Sequence, residues 1–188
     1  FSAAGTVQKG TLFLSVDTIE ADAKTFSRLV DLSSFSLYSG IAEGSGTITG
    51  TLSDPIINAE FIGTDMTVGV PDYVDERMTC ADFRVKTTDS VFSAVDSLFI
   101  GEKSGARLNL SVDLALKKLL IDNLSLKVNT LADTRAAVRY AMPGGVFTGM
   151  GKADITVQID RDLIDVSGSV EVADLEAVII LAAERARA

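Results

Sequence analysis

Histidine and tryptophan are missing from these 188 residues, cysteine occurs once and proline three times. Without histidine the chain cannot assemble a Ser-His-Asp or Cys-His relay, and it lacks the commonest zinc ligand. A single cysteine, Cys80, excludes an internal disulfide and a cysteine-rich metal site. Its alternating apolar surroundings mark it as a small buried hydrophobe. Basic charge is also short: Lys and Arg number 17 against 26 Asp and Glu, a formal net charge of −9. A phosphate-binding surface needs a basic stripe, so no nucleic-acid partner is expected, nor a polybasic dock on anionic lipid headgroups. The longest uninterrupted apolar run, Ala177–Ala183, falls far short of the ~20 residues of a membrane helix. Phe1–Thr6 has neither the basic start nor the apolar run of a signal peptide. We therefore expect residues 1–188 to form one segment of a longer repetitive chain.

No chemical constellation fills the gap. The glycines from Gly144 to Gly151 lack the Lys of a phosphate loop and the strand-turn-helix setting of a dinucleotide site. Asp160, Asp162 and Asp165 crowd one predicted turn, and Asp72, Asp75 and Glu76 another. Neither has the spacing of a calcium loop, and both read as solvated turns. Nothing supports a carboxylate pair for glycoside hydrolysis. The expectation is a protein without enzymatic activity, cofactor or metal.

What the sequence has is alternation. In Gly46–Val68, Ile48, Gly50 and Leu52 alternate with Thr47, Thr49 and Thr51, the two-residue period of a half-buried strand. Ser53-Asp54-Pro55 breaks the run, because Ser and Asp close turns and Pro cannot donate to a ladder. Ile57, Ala59 and Phe61 then resume it, giving a β-hairpin with one apolar face. Near the C-terminus the unit returns. Ile57, Ala59, Phe61, Asp65 and Met66 match Val166, Gly168, Val170, Asp174 and Leu175 at a constant offset of 109 residues. Upstream of that second copy, Ile155, Val157 and Ile159 take the part of the first strand. Two such matches in one order favour a repetitive β-architecture.

GSGTITGTLSDPIINAEF resembles the "GTLSDP" hairpin of the TamB and AsmA-like envelope proteins. GMGKADITVQIDRDLIDVSGSVEVADLEAVI resembles the repeat toward the C-terminal end of TamB-type chains. The resemblance covers Gly44–Val68 and Gly149–Ile179; the middle agrees in strand pattern only. It implies a U-shaped β-groove, or β-taco, that handles phospholipid acyl chains in the periplasm of a diderm bacterium, on a parent chain anchored in the inner membrane. It equally allows an assembly scaffold for outer-membrane barrels, which would accept a client strand at an open sheet edge, with a barrel protein as the parent's partner.

The rest of the chain fits a mainly β fold. Leu12, Leu14 and Val16 alternate in Gly10–Asp17. Ala21–Val30, with Phe26, Leu29 and Val30 at helical spacing, predicts one or two helical turns, and the Ser/Gly-rich Ser33–Gly46 a loop or short edge strand. Pro71–Arg77 reads as a charged, protruding loop. Met78–Thr87 is a strand whose apolar side switches between Cys80 and Phe83, which a β-bulge would explain. Ser90–Ile100 fits an amphipathic helix or, preferred here, a strand. Leu108, Leu110, Val112, Leu114 and Leu116 share one face of the clearest strand. After Lys117-Lys118, a turn is expected at Asp122-Asn123, with Leu124, Leu126 and Val128 returning. Ala132–Met142 is a strand or helical turn that Pro143 ends, and Leu175–Ala188 reads as a terminal helix or tag remnant.

The predicted fold is an open, curled, mostly antiparallel sheet with at most short helical segments. Its candidate lining is Leu12, Leu14, Val16, Ile48, Leu52, Ile57, Phe61, the five residues Leu108 to Leu116, Leu124, Leu126, Val128, Ile155, Val157, Ile159, Val166 and Val170. A closed sandwich, its apolar faces packed on each other, is the competing arrangement. The 47% hydrophobic content suits either one.

Overall fold

The structure is a computed structural model that describes residues 2–22, 25, 36–143, 145–160 and 163–179, leaving out the side chains of Val95, Asp96 and Ile179. Eleven strands follow one another: β1 (Ser2–Gln8), β2 (Thr11–Asp22), β3 (Ser36–Thr51), β4 (Asp54–Gly69), β5 (Met78–Thr88) and β6 (Val91–Gly101). Then come β7 (Arg107–Lys117), β8 (Leu120–Thr130), β9 (Ala136–Met142), β10 (Gly145–Asp160) and β11 (Leu163–Ile179). They form one antiparallel sheet in chain order, except that β8 and β9 share one edge of β10. The substantial contacts between elements are those between ladder neighbours, and among the described residues no second layer of strands lies across the sheet. The open sheet, rather than the sandwich, is the architecture.

Alternation and two-residue turns build most of it. The expected hairpin is β3–β4, paired from Ser36↔Gly69 to Thr51↔Asp54. Its turn starts one residue early. The Thr51 hydroxyl accepts the Asp54 N–H at 3.1 Å, which puts Leu52 in the turn, 65% exposed, and off the apolar face. Ser36–Gly46 is strand and not loop: all of it belongs to β3 and runs beside β4, Ile41–Gly46 lies between β2 and β4, and residues 33–35 lie outside the described residues. Small residues are needed there, because a Cβ on Gly44 would run into the Phe61 ring.

The β7–β8 turn also differs from expectation. It lies at Lys118-Leu119, both left-handed (φ 53° and 62°) as a two-residue hairpin turn demands. A turn at Asp122-Asn123 would set Lys117 opposite Val128 and mix the two faces. The observed register sets Leu110 opposite Val128 and Leu114 opposite Leu124, with a slip beside Ala115 absorbing the excess. Of Ser90–Ile100, Ser90 closes the turn and Val91–Ile100 is strand, and Leu175–Ile179 continues β11 instead of turning helical; residues 180–188 lie outside the described residues. Of the expected helical turns over Ala21–Val30, Ala21 and Asp22 belong to β2, and residues 23, 24 and 26–30 lie outside the described residues.

The switch of face in β5 is present and extends beyond that strand. Cys80 is buried, Ala81 and Asp82 are both exposed, and Phe83 turns inward again. On β4, Asp65 takes a left-handed φ of 50° between inward Gly63 and Met66, and on β6 the register slips between Ala94 and Ser97. Because β4 and β5 switch together, their ladder runs through without a slip. Such bulges bend strands.

The sheet curls far enough to touch itself. The Val70–Arg77 connection, expected to protrude over Pro71–Arg77, instead crosses to β9. Val74 bridges Val138, the Asp75 N–H donates to the Ala137 carbonyl at 2.9 Å, and the Arg139 N–H donates to the Tyr73 carbonyl at 2.9 Å. Within that closure Val68, Met78, Cys80 and Phe99 are buried, with Leu37, Met66, Val74, Phe83, Leu108 and Leu110 packed against them.

Candidate functional site

Cross-strand partners point to the same side of a sheet, so the register defines each face. One row runs Ala3, Val16, Gly46, Ala59, Thr87, Phe92, Leu114, Leu124, Ile159, Ile164. It crosses ten strands, about 43 Å at the usual spacing, and Thr87 is its one polar member. The adjoining row on the opposite face runs Ser45, Glu60, Lys86, Ser93, Asp113, Ser125, Gln158, Asp165. Along these two rows one face is apolar and the other polar, from β3 to β11.

The predicted lining falls on this apolar face, Leu52 excepted. Leu14 faces Ile48, which faces Ile57. Val112, Leu126, Val157 and Val166 form a second complete row, and Leu110, Val128 and Ile155 a third. Their cover divides them. Leu108 and Leu110 belong to the packed end. Leu12, Val16, Phe61, Leu116 and Ile159 remain half-buried, as do the middle members of the rows just named. On the edge strand Val166 and Val170 are exposed, at 63% and 57%. A half-exposed apolar face of this length has the chemistry to receive an apolar chain, and among the described residues it carries no charged side chain in these rows.

The residue that seals the other end was not foreseen as functional. Glu76 is 6% exposed. One of its oxygens accepts the Lys103 and Ser104 N–H groups, both at 2.9 Å; the other accepts the Ser104 hydroxyl at 2.6 Å and the Ala137 N–H at 2.7 Å. It thus joins the β4–β5 connection, the β6–β7 turn and β9. Burial by itself would raise this carboxyl's pKa, but the four hydrogen bonds together hold it below the ordinary value. Gly101 makes the approach possible, since a Cβ there would sit 2.6 Å from the Glu76 carboxylate. The sequence did carry a signal: the two-residue period of Cys80 and Met78, run backwards, lands on Glu76 and Val74. Cys80 itself is 1% exposed, and burial pushes its thiol above the usual range.

Two clefts lie away from the apolar rows. One, of about 290 Å³, adjoins Tyr38, Arg77, Lys103 and Arg139 at the closed end; the Arg77 guanidinium lies 4.3 Å over the Tyr38 ring. The other, of about 320 Å³, is on the polar face between Asn109, Ser111, Lys127 and Asn129. Among the described residues no three Cys, Asp or Glu side chains converge as metal ligands. No family model matches this chain, and no curated protein or solved structure is significantly similar to it.

Proposed function

We propose that this chain is a segment of a TamB-like envelope protein whose half-covered apolar face binds phospholipid acyl chains and passes them along the sheet between the two membranes of a diderm bacterium. One observation carries the reading: an apolar row crosses the sheet from β1 to β11, shorter apolar rows lie beside it over β7–β11, and most of their members stay half-exposed with no second layer over them among the described residues. The twice-occurring hairpin motif supports the family, and with it a periplasmic location and an inner-membrane anchor on the parent chain. Burying acyl methylenes against such rows is worth up to about 0.8 kcal/mol per CH₂, and the gain is the same at every point along a uniformly apolar row. A tail can therefore slide without crossing a large barrier. At the Glu76 end the packed cluster leaves it no room.

The test is lipid extraction and native mass spectrometry of the purified chain, joined to photo-crosslinking from single positions. Phospholipid should co-purify, and crosslinkers at Val157 and Leu126 should capture acyl chains while those at Ser125 and Gln158 should not. Equal capture from both faces, or no bound lipid after expression in a diderm host, would refute the reading.

A further inference from the structure

The closure at the Glu76 end brings together three cations that the sequence keeps apart. Arg77 ends the β4–β5 connection, Lys103 sits in the β6–β7 turn and Arg139 lies in β9, yet all three line the cleft of about 290 Å³ beside Tyr38. Backbone bonds across the closure fix their places. The Glu102 N–H donates to the Arg77 carbonyl at 2.9 Å, and the Arg139 N–H to the Tyr73 carbonyl at 2.9 Å. The Arg77 guanidinium also lies 4.3 Å over the Tyr38 ring. Stacking uses the face of a guanidinium and leaves its in-plane N–H donors available.

The carboxylates of this cleft leave those donors unused. Glu76 has both oxygens taken by the four hydrogen bonds of the seal. Asp75 pairs with Lys103, whose ammonium lies 3.3 Å from its carboxylate. Among the described residues neither Arg77, Arg139 nor Glu102 forms an ion pair. Acidic residues outnumber basic ones 26 to 17, so two unpaired guanidinia on one cleft do not follow from composition. Guanidinium forks match the oxygens of a phosphate, and an ammonium adds a point charge. We propose that this cleft binds a phosphate group, with Arg77 and Arg139 donating to its oxygens and Lys103 supplying charge. Free phosphate and a phospholipid headgroup share that chemistry. The bound anion ties the same three segments together from outside that Glu76 ties from within, so binding favours the closed end. The cleft lies away from the apolar rows, and the site holds or fails independently of acyl binding.

The test is a phosphorus NMR titration of the whole chain with inorganic phosphate, joined to urea unfolding and Cys80 labelling. Sodium chloride at equal ionic strength is the control, because salt alone relieves repulsion within a chain of net charge −9. Phosphate should raise the urea midpoint and slow labelling beyond what chloride does. Arg77→Gln and Arg139→Gln should each weaken phosphate binding about tenfold. Lys152→Gln, which removes a cation paired with Asp133 instead, should leave it unchanged. Arg139→Gln keeps the Tyr38 stack, so it decides the matter if Arg77→Gln is less stable in chloride. Repeating the titration with monomeric dihexanoyl phosphatidylglycerol separates the sources. Lipid binding lost in the same arginine variants assigns the site to a headgroup; binding of inorganic phosphate alone assigns it to free phosphate. Equal responses to phosphate and chloride, or a phosphate affinity that neither arginine change moves, would overturn the proposal.

Discussion

Where the Val70–Arg77 connection meets β9, Val68, Met78, Cys80 and Phe99 are buried. Along Leu114, Leu124 and Ile159, residues of the same kind, on the same face of the same sheet, stay half-exposed. Both regions follow one sequence rule, apolar residues at every second position. What separates them is a contact between segments more than 60 residues apart, Glu76 with Ala137 and Val74 with Val138. Alternation makes an apolar face; a second, non-local event decides whether that face becomes a core or stays open.

The largest effect should come from placing the same charge in each region. Leu110 is half-buried but packs against the buried cluster, so Leu110→Asp turns a carboxylate toward apolar side chains that offer it no partner. A loss of about 3–5 kcal/mol is expected, enough to unfold a marginal domain. Val157→Asp sits on the open row, where water reaches the charge, and should cost about 1 kcal/mol. Urea unfolding of the two variants makes the comparison. Equal large losses would mean that the open rows are packed in solution after all. If Val157→Asp melts normally yet loses co-purifying lipid, the open rows are the lipid path.

Next in size is the seal. Glu76→Ala strands three N–H groups and a hydroxyl and should cost about 2–4 kcal/mol. The seal should also fail in acid. Because the folded pKa lies below the ordinary 4.5, the carboxylate's contribution is complete above that value and is lost as pH falls through the folded pKa. The stability gap between the wild type and Glu76→Gln should therefore narrow below pH 4.5. A gap that stays constant with pH would show that the ionised form does not hold the closure.

Cys80 reports the same event more gently. Its thiol is buried inside the closure and held protonated by burial, so thiol reagents should label it only when that end opens. Labelling should quicken in Glu76→Gln and stay near the wild-type rate in Val157→Asp. Similar rates in all three proteins would mean that the two regions open as one unit.

These contrasts also mark how far the sequence could be read. The β3–β4 hairpin, the Leu108–Leu116 row and the bulge after Cys80 are legible because each is a local two-residue period or a break in one, whereas Val91–Ile100 also fits helical spacing and its local pattern does not decide for the strand. Ser36–Gly46 misled, because its glycines make room for Phe61 and Ala59 on the next strand, and a turn would use the same residue. Lys118-Leu119 misled because matching two apolar rows outweighs the turn preference of Asp122-Asn123. The path of Val70–Arg77 onto β9 depends on two distant segments meeting, which no local period encodes. Only the inward phase of Glu76 hinted at it.

The smallest effect tests the comparison at two matched positions. Asp65 and Asp174 occupy equivalent bulges with nearly the same left-handed φ, 50° and 51°. Such a backbone strains any residue with a Cβ, Asp less than most, and glycine relieves it. Against that relief stands the extra freedom glycine gives the unfolded chain, so each Asp→Gly change should gain only about 0.5 kcal/mol. The surroundings decide where the gain is seen. Asp65 lies in β4, paired on both sides and next to the closed end, so Asp65→Gly should raise the global unfolding free energy. Asp174 lies in the outermost of the described strands, which can fray before the sheet unfolds. Asp174→Gly should therefore leave the urea midpoint unchanged and slow hydrogen exchange only within Leu163–Ile179. A midpoint that rises equally in both variants would place β11 in the same cooperative unit as β4. A fall in both would show that the aspartate side chains, rather than the bulge geometry, are what the two copies share.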